Sequence, residues 1–409
     1  MKKNNKKKDI VLITHYYHFP SEKESSRYRT LAEMIANDQR FSLELVTSSF
    51  YHRTKQQREK EDCICEEPFK VTLIEEPDYK KNISLKRLYS AKIFAKNVVE
   101  YLKKRRQPDL IYQVVPSLDV ADYVSRFAVS SSIPLAIDIQ DLWPEAFKMA
   151  IDIPVISNIL FYPMKKQANR IYCRADQIIA VSDTYVKRAM SVNSKCQQGI
   201  GVYIGTDIEF AKRKMGEYKI EKPQKEFWIT YVGALGHSYD INLIIKAIAR
   251  LKERGIKNIV FHIMGTGVLM EKFKKKAADL DINAIFHGQV EYGLMMAMLS
   301  KSDIAINPIV GKSVASIINK VSDYAVAQIP VINTQKCEEY KMLLDRYNAG
   351  INCRAGNINE VSEAIEKLYE NAHLRDKMKK GEQILANEKF NRQSTYPIIV
   401  DALDRLCTR

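Results

Sequence analysis

The chain has no apolar run approaching the roughly 18 to 20 residues that a bilayer-crossing helix needs, so no spanning segment is expected in its 409 residues. A secretory leader is not expected either. The basic start Met1-Lys2-Lys3-Asn4-Asn5-Lys6-Lys7-Lys8 meets an apolar stretch, Ile10 to His15, too short for a signal core and without a cleavage site. Cysteines are few and scattered: Cys63, Cys65, Cys173, Cys196, Cys337, Cys353 and Cys407, with one close pair and no second pair at finger spacing. That excludes a disulfide framework and a zinc site and fits a reducing cytosol. No Asp-x-Asp metal motif stands in a suitable loop, and no nucleic-acid recognition module is visible.

Positive charge, by contrast, is abundant, with a formal net charge of +15. Basic proteins are drawn to nucleic acid, anionic lipid or phosphorylated ligands. The excess gathers at the N-terminus and from Lys80-Lys81 to Lys103-Lys104-Arg105-Arg106, while the second half is closer to balance. A composition of 46% hydrophobic and 28% charged residues supplies enough apolar material for two full cores, and the length exceeds one ordinary core.

Strand and helix patterns alternate. Ile10-Val11-Leu12-Ile13 is an expected strand; Ser25 and Ser26 stand where a cap would open a helix carrying Tyr28, Leu31, Met34 and Ile35; Leu43-Glu44-Leu45-Val46 is the next strand. Further strands are expected at 109–112, 135–138 and 177–181, with helices between them. A charged, glycine-containing stretch follows, and the pattern restarts at Trp228-Ile229-Thr230-Tyr231-Val232. The expected class is α/β, with two doubly wound Rossmann-like parallel-sheet domains facing a cleft. The expected bounds are 1–205, a linker at 206–225, and 226–389.

Three loops of the second domain fall at strand ends, where ligands of open parallel sheets bind. Gly233-Ala234-Leu235-Gly236, followed by His237, opens a helix, and its amides suit a phosphate. Gly265-Thr266-Gly267 follows another strand, although tight turns use glycine everywhere. The third loop carries Ser313, Ser316, Asn319, Lys320, Asp323 and Tyr324. Here Lys320 offers a point cation to a diphosphate and Asp323 an acceptor for ribose hydroxyls. A capped helix with an i, i+3 Lys-Asp pair explains the same residues, and both readings stay open.

In the first domain, Asp138-Ile139-Gln140-Asp141-Leu142-Trp143-Pro144-Glu145 follows a buried strand. Asp138 and Asp141 there can orient a sugar hydroxyl or work as acid or base, with Trp143 against a sugar face. The plainer reading has Asp141 capping a helix with Pro144 and Glu145 in its first turn. His15 ends the first strand, and Arg27 and Arg29 stand where they can meet phosphate or solvent. The stretch 84–106 reads as a basic amphipathic helix. Leu85, Leu88, Ile93, Phe94, Val98, Tyr101 and Leu102 alternate with Lys86, Arg87, Lys92, Lys96, Lys103, Lys104 and Arg105. It suits an anionic membrane surface, as well as an ordinary domain helix.

These residues resemble bacterial glycosyltransferases of family 4, retaining GT-B enzymes of surface-polysaccharide synthesis. The resemblance is strongest to a subgroup with a DxxDxWPE segment, here Asp138 to Glu145, which is associated with amino-sugar transfer, including that of N-acetylfucosamine. Further stations are Gly233 to Gly236, Gly265 to Gly267, Phe286-His287-Gly288-Gln289-Val290, Ser302-Asp303-Ile304 and Asn319-Lys320-Val321-Ser322-Asp323-Tyr324. The resemblance implies a nucleotide-sugar donor, UDP-linked, on the second domain. Gln289 and Val290 would meet the base, Asp323 the ribose, and Lys320 with the Gly236 loop the diphosphate. It implies a polyprenyl-diphosphate-linked sugar or glycan acceptor on the first domain, no metal, and a final helix, about 390–409, crossing back onto the first domain. With the basic helix, that places the chain on the inner face of a bacterial cell membrane, with no nucleic acid as partner.

Two departures stand out. The first glutamate of the usual donor-loop pair falls on Ala315, and the basic pair expected after Gly236 is replaced by His237 and Asp240. They motivate an alternative, a non-catalytic GT-B subunit that positions another transferase. An epimerase on the same fold ranks behind both, because its acid/base set is missing.

Overall fold

The computed structural model describes residues 6–22, 26–59, 67–82, 84–148, 158–310 and 317–408. The chain forms two compact units, one of Met1–Tyr203 with Thr395–Arg409 and the other of Ile204–Ser394.

The first unit is built on a seven-stranded parallel sheet. Its strands are β1 (Lys8–Ile13), β2 (Phe41–Ser48), β5 (Lys70–Ile74), β6 (Leu110–Val115), β7 (Leu135–Ile139), β8 (Gln177–Ala180) and β9 (Ile200–Gly201), in the order β5-β2-β1-β6-β7-β8-β9. A small antiparallel hairpin, β3 (Phe50–Tyr51) and β4 (Gln56–Gln57), follows β2. Strands such as Ile10 to Ile13 are apolar without alternation because helices cover both faces of the sheet. Helix Arg27–Asn37 buries Tyr28, Leu31, Ala32 and Ile35 against it. The last helix, Pro397–Leu406, packs in the same core through Ile399, Val400 and Leu403, beside helix Arg27–Asn37 and β8.

The second unit carries a six-stranded parallel sheet. Its strands are β10 (Phe227–Val232), β11 (Ile259–Met264), β12 (Ala284–Gly288), β13 (Ile304–Asn307), β14 (Val331–Asn333) and β15 (Gly350–Asn352), ordered β12-β11-β10-β13-β14-β15. The chain works outward from β10, then jumps back to lay β13 on its other side. Each sheet therefore has one switch point, β1/β6 in the first and β10/β13 in the second, where loops diverge and leave room for a ligand. Helix Ile241–Glu253 shows how the local sequence serves this layout. Asp240 accepts the Leu243 amide at 3.0 Å as its cap, and Ile241, Ile244, Ile245, Ile248 and Leu251 are buried on the sheet. Each such side chain contributes about 1.5–3 kcal/mol on burial.

The stretch expected as a linker is ordered. Asp207 caps helix Ile208–Gly216 through the Phe210 amide, and this helix packs on Tyr292–Lys301 within the second unit. The charge density there marks one solvated helix face rather than a flexible tether.

Candidate functional site

Four loops of the second unit meet at the carboxyl end of its sheet, and three of them touch through backbone. The Gly265 amide donates to the Gly288 carbonyl at 2.6 Å, and the Gly233 amide to the Met264 carbonyl at 2.9 Å. Gly265 holds φ +145°, and a Cβ there would stand 1.9 Å from the Gly233 carbonyl oxygen; one on Gly267 would stand 2.4 Å from that of Leu235. These two glycines are therefore required for loops to pass backbone to backbone, which gives them a packing role whatever binds nearby. Gly236 differs: a Cβ there would meet nothing within 4 Å. His237 beside it is exposed, as is Gln289, while Val290 is half-buried.

Lys320 opens helix Lys320–Val326, and its side chain turns back beneath the Gly233 loop. Its Nζ lies 4.3 Å from the Tyr231 ring centroid and 3.9 Å from that of Tyr239, and a Cβ on Gly233 would come within 2.8 Å of it. The amine is buried with no hydrogen-bond partner among the described residues. Burial holds its pKa well below the ordinary lysine value. The two aromatic faces offset part of that cost, but among the described residues no anion stands beside the amine. Tyr231 is fixed by donating to the Ala234 carbonyl at 2.7 Å. Tyr324 bonds the Val232 amide and the Ile306 carbonyl, pinning the helix to the switch point. Gln289, Gly288, Gly265, Gly233 and Lys320 thus form one continuous rim.

Asp323, one turn on, is half-buried. Its Oδ1 accepts from Tyr292 at 3.0 Å and from Thr206 at 3.2 Å. Burial raises its pKa to about 6, against the hydrogen bonds that pull it down. Both bonds end on Oδ1. Asn319 is exposed and makes no side-chain cap, and the helix behind it has only 7 residues, so local positive charge must come from Lys320 more than from a helix dipole. Ser316, with Ser313 and the Ala315 position, lies outside the described residues. Tyr231, Tyr239, Tyr292 and Thr206 were missed by motif reading. The tyrosines flanking the Gly233–Gly236 loop carried a signal, but Thr206 and Tyr292 reach Asp323 only through the fold.

In the first unit the carboxylates separate. Asp138 was expected to face a ligand, and this is corrected: it is fully buried in the core. Arg27 donates Nε to its Oδ2 at 3.0 Å and Nη2 to its Oδ1 at 3.4 Å, and Tyr112 donates to Oδ2 at 2.6 Å. Arg27, expected at phosphate or solvent, is equally buried, bonded to the Val202 and Tyr203 carbonyls and stacked 5.0 Å from the Tyr396 ring. The pair ties β7 to helix Arg27–Asn37 and to the returning C-terminal segment. Glu145 pairs with Arg188 at 2.6 Å. Asp141 stays half-buried, takes the Trp143 indole NH at 3.2 Å, and has its pKa raised by burial. The DxxDxWPE carboxylates therefore hold three different positions: Asp138 in the core, Glu145 in an ion pair, and Asp141 half-buried against the Trp143 indole.

His15 is buried, bonds Glu76 at 2.7 Å and stacks between Tyr16 and Phe94. Glu76 also accepts from Ser48 and Ser90; burial would raise its pKa, but His15 and these bonds outweigh it and hold it low. The basic helix, Leu85–Lys104, is not free to lie on a membrane along its length, since Phe94, Ala95, Val98 and Leu102 face the core. Its exposed apolar residues, Leu85, Leu88 and Tyr89, are confined to the start. Among the described residues no helix is long and apolar enough to cross a membrane, and no cluster of ligands could hold a metal.

Residues 216–383, which contain the whole Gln289-to-Lys320 rim, match the family model described as glycosyl transferases group 1. An uncharacterized glycosyltransferase of Methanocaldococcus jannaschii, MJ1069, is 27% identical over 227 residues, 54% of this chain and 56% of that protein. The match thus spans little more than half the length of that relative. Among solved structures, sucrose-phosphate synthase from Thermosynechococcus elongatus superimposes with a TM-score of 0.72 at 12% identity, covering 98% of this chain and all of that one. Anabaena Alr3699/HepE, solved in complex with UDP, superimposes with a TM-score of 0.69 at 14% identity, over 97% of this chain and 100% of that one. A segment of the second unit thus matches the glycosyl transferases group 1 model, and the chain as a whole has the GT-B fold.

Proposed function

We propose that the chain is a retaining glycosyltransferase, moving a sugar from a UDP-linked donor to a lipid-linked or glycan acceptor in bacterial surface-polysaccharide synthesis. The motif resemblance favours an N-acetylated amino sugar. The observation that carries the reading is the continuous rim from Gln289 to Lys320, lying inside the segment that matches the glycosyl transferase model. UDP in the Anabaena neighbour supports the choice of nucleotide.

In this reading Gln289 and Val290 meet the base, and Asp323 receives ribose hydroxyls on the oxygen that Tyr292 and Thr206 leave untouched. The open backbone at Gly236, with His237, borders the diphosphate. Lys320 takes the charge that develops on the leaving diphosphate, the work a metal does in other transferases. The amine already stands at the rim, and an arriving diphosphate favours its charged form against the burial that lowers its pKa. Asp141 orients the acceptor hydroxyl, and Asp138 supports it from behind as a structural anchor. Peripheral attachment to the inner face of the cell membrane would use the start of helix Leu85–Lys104, with Ile159, Leu160 and Tyr162, which are also exposed.

The test is transfer from a panel of UDP-sugars by the full chain and by Lys320→Ala. Loss of transfer with folding intact is expected, and full turnover by the variant would sink the donor-site reading. Ala315 in place of a glutamate keeps the non-catalytic partner as second reading. A wild-type chain that binds no nucleotide sugar would favour it.

A further inference from the structure

A second group of cations gathers at the carboxyl end of the first sheet. His52 and Lys55 lie in the turn between β3 and β4, Tyr16 follows β1, Tyr79 follows β5, and Arg87 sits in the first turn of helix Leu85–Lys104. Tyr79 bonds His52 Nδ1 through its hydroxyl. Lys55 Nζ stands 3.2 Å from the same nitrogen and 5.0 Å from the Tyr79 ring centroid. Arg87 Nη2 donates to the Tyr16 hydroxyl at 3.1 Å, and the Tyr16 ring lies 5.1 Å from that of His52. Two cations, an imidazole and the Tyr16 phenol thus share one half-buried rim, with the Tyr79 ring buried behind it.

Among the described residues no carboxylate is hydrogen-bonded to Lys55 or Arg87. Neither Lys55 nor Arg87 makes an ion pair among the described residues. Glu76, whose field reaches Arg87, spends its oxygens on His15, Ser48 and Ser90. Asp78 is exposed and accepts from Gln57. The mutual repulsion shows: burial, then Lys55 and Arg87, push the His52 pKa down to about 4, and burial with Arg87 lowers that of Lys55. Lys55 is also held at φ +62°, a left-handed conformation costing roughly 1–2 kcal/mol for a residue with a Cβ. The fold thus holds like charges together at one place, where an added anion would relieve their repulsion.

The surface beside it is apolar and basic at once. Leu85, Leu88 and Tyr89, at i, i+3 and i+4 of the same helix start, are 84%, 59% and 61% exposed. From Tyr79 to Val99 the sequence has no acidic residue, while it has Lys80, Lys81, Lys86, Arg87, Lys92 and Lys96.

We propose that His52, Lys55, Tyr79 and Arg87 form an anion subsite that takes the phosphate of an amphiphilic acceptor, whose hydrocarbon chain leaves along Leu85, Leu88 and Tyr89. This deepens the functional reading above and rests on it for the word acceptor; the binding itself does not depend on sugar transfer. Lys55 and the Arg87 guanidinium grip phosphate oxygens through charge-assisted bonds, and the two phenols donate to those that remain. The exposed leucines supply the contact that separates a lipid phosphate from free phosphate.

Two probes distinguish the sources: inorganic diphosphate, and farnesyl diphosphate in nonionic micelles, each titrated calorimetrically into the full chain. Farnesyl diphosphate is expected to bind at least tenfold more tightly. Lys55→Ala and Arg87→Gln should each weaken both probes about tenfold or more, with the unfolding temperature as a check on folding. Leu85→Ser combined with Leu88→Ser, at exposed positions, should remove the farnesyl advantage and leave diphosphate affinity unchanged. Lys320→Ala should retain the farnesyl site. Absence of binding by farnesyl diphosphate overturns the proposal, as does binding lost only in Lys320→Ala, and a farnesyl advantage that survives the double leucine variant removes the hydrocarbon path. UDP titrated in parallel separates the two claims: UDP binding without farnesyl diphosphate binding sinks this subsite and leaves the donor reading intact.

Discussion

Lys320→Met puts the donor site to its sharpest test, because it should damage binding while improving the fold. The wild-type amine is buried over two tyrosine rings with no hydrogen-bond partner among the described residues. An unsatisfied buried polar group costs about 1–3 kcal/mol, so an apolar chain of similar length should raise stability by up to that amount. In the complex the same position meets a diphosphate, and a hydrogen bond to a charged group is worth about 1.5–3 kcal/mol. At about 1.4 kcal/mol per decade, UDP should bind roughly ten- to a hundredfold more weakly. Proton linkage provides a second readout. The free amine has a depressed pKa and must be charged to hold a phosphate, so binding takes up a proton where the free lysine is neutral. UDP affinity should therefore fall as pH rises in that range. Calorimetry in buffers of different ionisation enthalpy should reveal the uptake, and Lys320→Met should abolish it. Unchanged UDP affinity in Lys320→Met, or identical heats in all buffers for the wild type, would refute the reasoning.

At Asp323, raised to about 6, the carboxylate is the form that receives ribose hydroxyls, so UDP affinity should weaken as pH falls below about 6, and Asp323→Asn should remove that limb from a calorimetric pH series. Glu382, buried on helix Ala372–Leu385 with Oε1 unpartnered among the described residues, has its pKa raised by burial well above 4.5. Its stabilising protonation is complete below the unfolded value and is lost as pH rises through the folded one, so Glu382→Gln should flatten the decline of unfolding temperature with rising pH. Arg27→Met leaves Asp138 charged and unpaired in the core and should cost about 3–5 kcal/mol in urea unfolding; a loss below 1 kcal/mol would contradict the anchor role given to the pair.

What the sequence revealed, and what it hid, follows from how far apart the interacting residues are. The strands and the alternation of helices were readable because each is a local apolar pattern, whereas the strand order, and with it the switch points, came only with the fold. Lys320 and Gly233 were readable as loop residues at strand ends. Their shared packing with Tyr231 and Tyr239 was not, since it depends on helix Lys320–Val326 docking under the first loop. Asp138 misled for a related reason: its neutralising arginine lies 111 residues away, and an aspartate ending a buried strand looks the same whether it faces ligand or core. Phe94, Val98 and Leu102 form a stripe that the sequence, with its concentrated positive charge, favours for a membrane, whereas the fold buries these three in the domain. The stretch after Gly205 lacked a long apolar stripe, so helix Ile208–Gly216 went unseen.

The most direct measurement is titration of the full chain with UDP by isothermal calorimetry, with the uridine-free control of inorganic diphosphate. The account predicts saturable binding at one site that is tighter than inorganic diphosphate, competes with UDP-sugars, and weakens in both Lys320→Met and Asp323→Ala. No saturable UDP binding at millimolar concentration, or binding indifferent to both substitutions, would contradict it.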